Sequence, residues 1–125
     1  MAALEIGQAL VEMVNRGRDS ERAFVDQYHA HNIVSIEGGS SEEMPARLEG
    51  IDAIRGKHDW WYDNNEVHSS VAEGPYVGHR EDQFAIKFTL EMTPKGGERG
   101  SMEEVALFTV RDGKIVHEEF LYRMG

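Results

Sequence analysis

The chain has 125 residues, no cysteine and a formal net charge of -10 at pH 7. That length builds one ordinary domain, expected here over 1-125, whose core needs no metal or disulfide staple. Without cysteine there is no thiol nucleophile, zinc ribbon or disulfide framework, and the acidic balance with scattered Lys and Arg repels a phosphate backbone, so nucleic acid is not an expected partner.

The N-terminal stretch "MAALEIGQALVEMVNRG" lacks a basic flank before a continuous apolar run, and no later stretch approaches the ~20 apolar residues that cross a bilayer. A cytoplasmic protein with no membrane partner is expected. Ile6, Leu10, Met13 and Val14 share one helical face, and Gly17 stands where a helix ends. Asp19 or Ser20 should cap a second helix carrying Ala23, Phe24 and Tyr28 and ending between His29 and Asn32. "IVSIE" reads as a short strand, and the Gly, Ser and Glu rich "GGSSEEMPARLEG" as a loop. After Gly50 a third helix places Ile51, Ile54, His58 and Trp61 on one face, with Asp52, Arg55 and Asp59 away from it. Trp60 and Trp61 are adjacent, and the spacing nominates Trp61 for the interior.

From Glu66 onward, alternation replaces helical spacing in four runs, "EVHSSVAEG", "QFAIKFTLEM", "SMEEVALFTV" and "KIVHEEFLY", separated by turn residues. The layout is α+β, with helices first and then an antiparallel meander. Asp112-Gly113 is a strong signal for a two-residue hairpin turn with Arg111 opposite Lys114. Continued without interruption, that register sets Leu107 opposite Glu118, Val105 opposite Phe120 and Glu103 opposite Tyr122. A turn at Gly96-Gly97 would set Phe88 opposite Val105 and Ile86 opposite Leu107. One face then gathers Phe84, Ile86, Phe88, Leu90, Val105, Leu107, Phe120 and Tyr122, with Glu118 in the middle and Glu103 toward one end. The other face gathers Glu104, Ala106, Phe108, His117, Glu119 and Leu121. The first is more apolar, so the helices should cover it, with Glu118 inward and Glu119 outward; a one-residue slip exchanges them.

A carboxylate in an apolar cup is costly unless paired, and burial raises its pKa, which suits Glu118 to act as acid or base; the alternative is that it is wet at the open end of the sheet. His58 is a satisfied core residue or part of a site, and Glu37 is the rim of a pocket or an exposed loop residue. His68 lies on a strand of unfixed register. His29 and His31 have no third ligand at metal spacing, so neither a metal nor another cofactor is expected.

The order of elements, "EGIDAIRGK" opening the third helix and "DGKIVHEEF" in the last strand resemble the SnoaL-like branch of the nuclear transport factor 2-like superfamily, over nearly the whole chain. "EGPYV", "MEEVALFTV" and "EEFLY" resemble small members of that branch. The resemblance implies a cone, in which a curved antiparallel sheet wraps its concave face around three N-terminal helices and leaves an apolar pocket, often with a homodimer through the convex face. Phe108, Ala106, Leu121 and Ile115 would be the apolar centre of that contact. Compared with ketosteroid isomerase, the base falls on Glu37, a second pocket Tyr on His58 and an aromatic wall on Tyr122. The oxyanion Asp falls on Val105 and the principal oxyanion Tyr near Leu10, so that hole is missing; the Asp of the superfamily's epoxide hydrolases falls on Phe120.

The resemblance and the residues together imply a cofactor-independent enzyme moving a proton on a small apolar molecule, as in an isomerisation, cyclisation, dehydration or hydration. Glu37 or Glu118 would be the base, His58 a donor and Tyr122 a positioning hydrogen bonder. Trp61, Phe88, Val105, Leu107, Phe120 and Glu103 would line the pocket. The alternatives are a non-catalytic binder of a small apolar ligand and a dimeric interaction module.

Overall fold

The computed structural model describes residues 2–40 and 45–122. In chain order it has α1 (Ala2–Arg16), α2 (Arg18–Tyr28), β1 (His29–Ile36), β2 (Arg47–Glu49), α3 (Ile51–Asn64), β3 (Asn65–Tyr76), β4 (Gln83–Pro94), β5 (Gly100–Arg111) and β6 (Lys114–Leu121). The strands form one curved, unclosed sheet in the order β2-β1-β6-β5-β4-β3. All pairs are antiparallel except β1 with β6, which run parallel. This is the expected α+β cone.

The helices dock on the concave face. In α1, Ile6, Leu10 and Val14 recur every four residues and are buried, the spacing of one helical stripe. Gly7 permits the close approach: a Cβ there would lie 2.7 Å from the Cβ of Pro75 and 3.0 Å from the Phe84 ring. The Asn15 side chain pairs with both backbone groups of Ala72, accepting at 2.8 Å and donating at 3.2 Å. Gly17, at φ 117°, both ends α1 and caps α2. Its carbonyl accepts from the Glu21 N–H at 3.0 Å, so neither Asp19 nor Ser20 acts as the cap.

Two boundaries differ from the sequence reading. β1 begins at His29, directly after α2, because its first residue already pairs with Ile115 of β6. The segment after Glu37 contains β2, whose Leu48 pairs with Ser35; its Gly- and Glu-rich composition hides a strand of only 3 residues. Residues 41–44 of the expected loop lie outside those described.

The register is where geometry departs most from expectation. The Asp112-Gly113 turn is as read, with φ 53° and 76° and Arg111 opposite Lys114. One step on, Val110 pairs with Ile115 but Thr109 pairs with His117, so Val116 is an extra residue, a β-bulge. The β4-β5 turn centres on Gly96 rather than on the Gly96-Gly97 pair, since an odd number of residues separates Met92 from its partner Gly100. Each deviation shifts pairing by one, which turns every side chain of the shifted strand over. β5 is therefore inverted relative to expectation, and the bulge restores β6.

Phe84, Ile86 and Phe88 face inward, as does Glu118, opposite Phe108 rather than Leu107. Phe120 also packs against the core, opposite Ala106 rather than Val105. Ala106 and Phe108, expected outside, are core residues exposed by 0% and 1%. Ile115, which the sequence reading assigns to a convex contact, is buried as well. The exposed apolar residues that β5 and β6 place on the convex face are instead Val105, Leu107 and Leu121, with Val105 opposite Leu121. Among the described residues no helix is long and apolar enough to cross a membrane.

Candidate functional site

Between the helices and the concave face lies a cavity of about 210 Å³. Its walls are apolar and aromatic, with Leu10 and Val14 from α1, Phe24 from α2 and Phe88, Phe108 and Phe120 from the sheet. Trp60 and Trp61 both line it and both are half-buried, so the choice between them that helical spacing suggests is not made.

The polar end is organised by Lys57, which the sequence reading passed over. Lying three residues after Ile54, it projects from the buried stripe of α3 and is 8% exposed. Its Nζ donates to Glu37 at 2.9 Å, to the Ser35 hydroxyl at 3.1 Å and to Glu118 at 3.5 Å. The same ammonium stands 4.3 Å from the centre of the Phe120 ring, a cation–π distance. An ammonium has three protons, and these three acceptors use them all.

Glu118 is 2% exposed. Burial pushes its carboxyl up, but the Lys57 ammonium, helped by the Ser35 hydroxyl, outweighs burial and holds it below the ordinary range. Its other oxygen lies 3.7 Å from Nε2 of His29, the first residue of β1. Burial and Lys57 lower the His29 pKa despite Glu118, leaving a neutral ring. Its Nδ1 is buried with no hydrogen-bond partner among the described residues. Lys57 itself keeps its proton: burial lowers its pKa, but Glu118 and Glu37 more than compensate.

Glu37, directly after β1, also accepts from the Tyr122 hydroxyl at 3.5 Å. Burial, then Glu37 and Glu104, raise the Tyr122 pKa, so the phenol stays protonated. His58 lines the cavity one residue beyond Lys57, with Nδ1 3.6 Å from Glu21 of α2. Burial and then Lys57 drive its pKa down to about 3, so it is neutral. Glu21 accepts from the Tyr62 hydroxyl at 3.0 Å, and burial raises its pKa.

Glu104 completes the site. The inverted β5 brings it to the cavity, opposite Phe88, with no hydrogen bond or ion pair from any described residue. Burial, followed by the charges of Glu37, Glu118 and Glu21 and opposed by Lys57, raises its pKa to about 7. Val105, Leu107 and Glu103, expected as lining, point away because of the same inversion. Val105 and Leu107 are 42% and 38% exposed, and the Glu103 side chain is 68% exposed, 3.8 Å from Lys87 across the convex face. Among the described residues no group of His, Asp and Glu is placed to hold a metal ion.

Of the site residues proposed from sequence, the structure gathers Glu37, His58, Glu118, Trp61, Phe88 and Phe120 at the cavity and Tyr122 beside Glu37. Lys57, Glu21, Glu104 and His29 join them. The available signal for Lys57 was its spacing from Ile54; for Glu104, nothing short of the true register would have served.

The SnoaL-like domain family matches residues 1–122 of the chain. The chain belongs to the SnoaL-like family. A solved Mesorhizobium loti structure, described as a SnoaL-like polyketide cyclase, is 39% identical to this SnoaL-like protein, with a TM-score of 0.84 over 94% of this chain and 97% of that one. A Mycobacterium tuberculosis protein in complex with estradiol-17beta-hemisuccinate shares 18% identity, TM-score 0.75, over 98% of this chain and 95% of that one. A Bacillus subtilis protein described as an isomerase also shares 18%, TM-score 0.71, over 98% and 86%. The last two show the common fold alone. No curated protein matches the chain.

Proposed function

We propose that this SnoaL-like protein is a cofactor-independent enzyme that moves a proton on a small, largely apolar molecule held in the cone cavity. The observation that carries the reading is Glu104, a carboxyl that faces the cavity without a hydrogen-bond or ion-pair partner among the described residues and whose pKa is raised to about 7. A group that both gains and loses a proton near neutral pH is suited to general acid–base catalysis, typically ~10² to 10⁴-fold in rate. Lys57 with Glu118, Glu37 and Ser35 forms a fixed array of charges beside it, and such preorganised charge can stabilise charge developing on a substrate. Tyr122 positions Glu37, and Phe88, Trp60 and Trp61 supply walls. Glu118, with Lys57, His29 and Ser35 around it, is a structural charge rather than the base. In this proposal the protein also forms a homodimer, through Val105, Leu107 and Leu121 on the convex face.

A second reading, non-catalytic binding, is favoured by the full use of the Lys57 protons, which leaves none for an oxyanion. The two are separated with indanone, an apolar ketone with an acidic C–H, in deuterated buffer. Catalysis predicts protein-dependent deuterium uptake, seen by NMR, that falls by ~10² or more in Glu104→Gln. Saturable binding of indanone without accelerated exchange would replace the enzyme reading with the binder reading.

A further inference from the structure

The ionisable groups at the polar end of the cavity are unbalanced in a way that specifies a ligand. Lys57 is the only cation among the described lining residues, and Glu37, Ser35 and Glu118 take its protons. Acceptors remain in surplus. Glu104 has no partner among the described residues. Glu21 accepts from Tyr62 and approaches His58, yet an ionised carboxylate has about four acceptor sites. His29 lies on the same wall, its Nε2 3.7 Å from the Glu118 carboxylate. A carboxylate shielded from water is costly without donors, and at Glu104 and Glu21 the missing donors have to come from whatever fills the cavity.

We propose that the molecule bound here carries a protonated amine on its apolar body, seated at the acceptor surplus of Glu104 and Glu21. This inference rests on the reading of the cavity as a small-molecule site. An ammonium brings three donors and no acceptor, which is the complement of this end of the cavity. A carboxylate or phosphate would instead meet carboxyl groups and an already engaged lysine. The aromatic walls agree with the assignment, because the faces of Trp60, Trp61 and Phe88 attract cations as well as apolar rings. The net charge of -10 draws cations toward the protein as a whole.

The assignment also couples binding to the proposed chemistry. An adjacent ammonium favours the ionised form of Glu104, the form that accepts a proton, and it acidifies the C–H bonds next to the nitrogen. A substrate of this class would thus keep its own base ionised.

The test uses three indole probes of matched shape, tryptamine, tryptophol and indolepropionate, titrated calorimetrically into the intact protein. Tryptamine should bind about tenfold or more tightly than tryptophol, with indolepropionate weakest. Glu104→Gln should lower tryptamine affinity about tenfold while leaving tryptophol within about threefold. Glu21→Gln should show the same selectivity in smaller measure and serves if the first variant unfolds, which thermal melts would reveal. Tryptophol or indolepropionate binding as tightly as tryptamine would overturn the amine assignment and leave the small-molecule reading standing. A tryptamine preference unchanged in both variants would also overturn it. Failure of all three probes to bind would remove both.

Discussion

Replacing Lys57 by Met removes the one cation among the described residues lining the cavity and leaves Glu37 and Glu118 facing each other in a largely apolar site. At an effective dielectric of about 20, an ammonium attracts a carboxylate by about 6 kcal/mol at the 2.9 Å of Glu37 and about 5 kcal/mol at the 3.5 Å of Glu118. Against this stands the desolvation of the ammonium, several kcal/mol. The net loss in Lys57→Met should be about 3–5 kcal/mol, the range for stranding a buried charge. Its pH dependence is the sharper signature. In the native protein the Glu118 pKa is depressed, so its contribution to stability is present above the unfolded pKa and lost as pH falls through the folded one. Without Lys57, burial governs and the Glu118 pKa rises above its unfolded value. The variant then keeps more of its stability at low pH and loses it as pH rises. Urea unfolding, extrapolated linearly to water, should show a greater loss at about pH 8 than at about pH 5. A double variant, Lys57→Met with Glu118→Gln, should recover part of the deficit at the higher pH. An equal loss at both pH values, or one below ~1 kcal/mol, would refute the electrostatic account of this site.

Glu104→Gln should raise stability at pH 8, by about 1–3 kcal/mol, and change it little at pH 4. A folded pKa raised to about 7 gives stability that is present at low pH and lost as pH rises through that value; matched urea curves at the two pH values check the sign. Phe108 stacks on Phe84 at 4.9 Å and meets Phe120 edge-on at 6.2 Å, so Phe108→Ala should cost about 3–5 kcal/mol on denaturation without changing the elution volume on a sizing column. Leu107→Asp, on the opposite face of the same strand, should do the reverse and yield a monomer. Trp60→Ala and Trp61→Ala should each weaken binding of an apolar probe, measured by calorimetry, because both rings line the cavity. An effect confined to Trp61 would restore the single-face reading of α3.

The sequence carries the element order apart from β2, and the concave faces of β4 and β6, because alternation over long strands and the Asp112-Gly113 turn are local signals. It misplaces β5 because register depends on two single residues, the odd member of the Gly96 loop and the extra Val116, and neither has a distinctive composition. The two shifts cancel at β6, which is why Glu118 faces inward although its expected partner, Leu107, is on the surface. Lys57 escapes for a different reason. A lysine on a helix reads as solvated, and only the fold reveals that Glu37, Glu118 and Ser35, distant in sequence, converge on it. The resemblance to SnoaL-like proteins supplies the cone, whereas the charge pattern within it belongs to this chain's own residues.

The place of β6 in the sheet has a consequence for assembly. It is the last strand of the described chain, yet it lies between β1 and β5. During synthesis, β1 can pair with β2, and β3, β4 and β5 can form a local meander, but the two parts of the sheet have no strand to join them until β6 has left the ribosome. Until then Lys57 has Glu37 and Ser35, which precede it in the chain, but not Glu118, and the floor of the cavity is open. Long-range closure of this kind is slow compared with local pairing, so the ion cluster should be among the last parts to order and the first to reveal a failure of the C-terminal strand to dock.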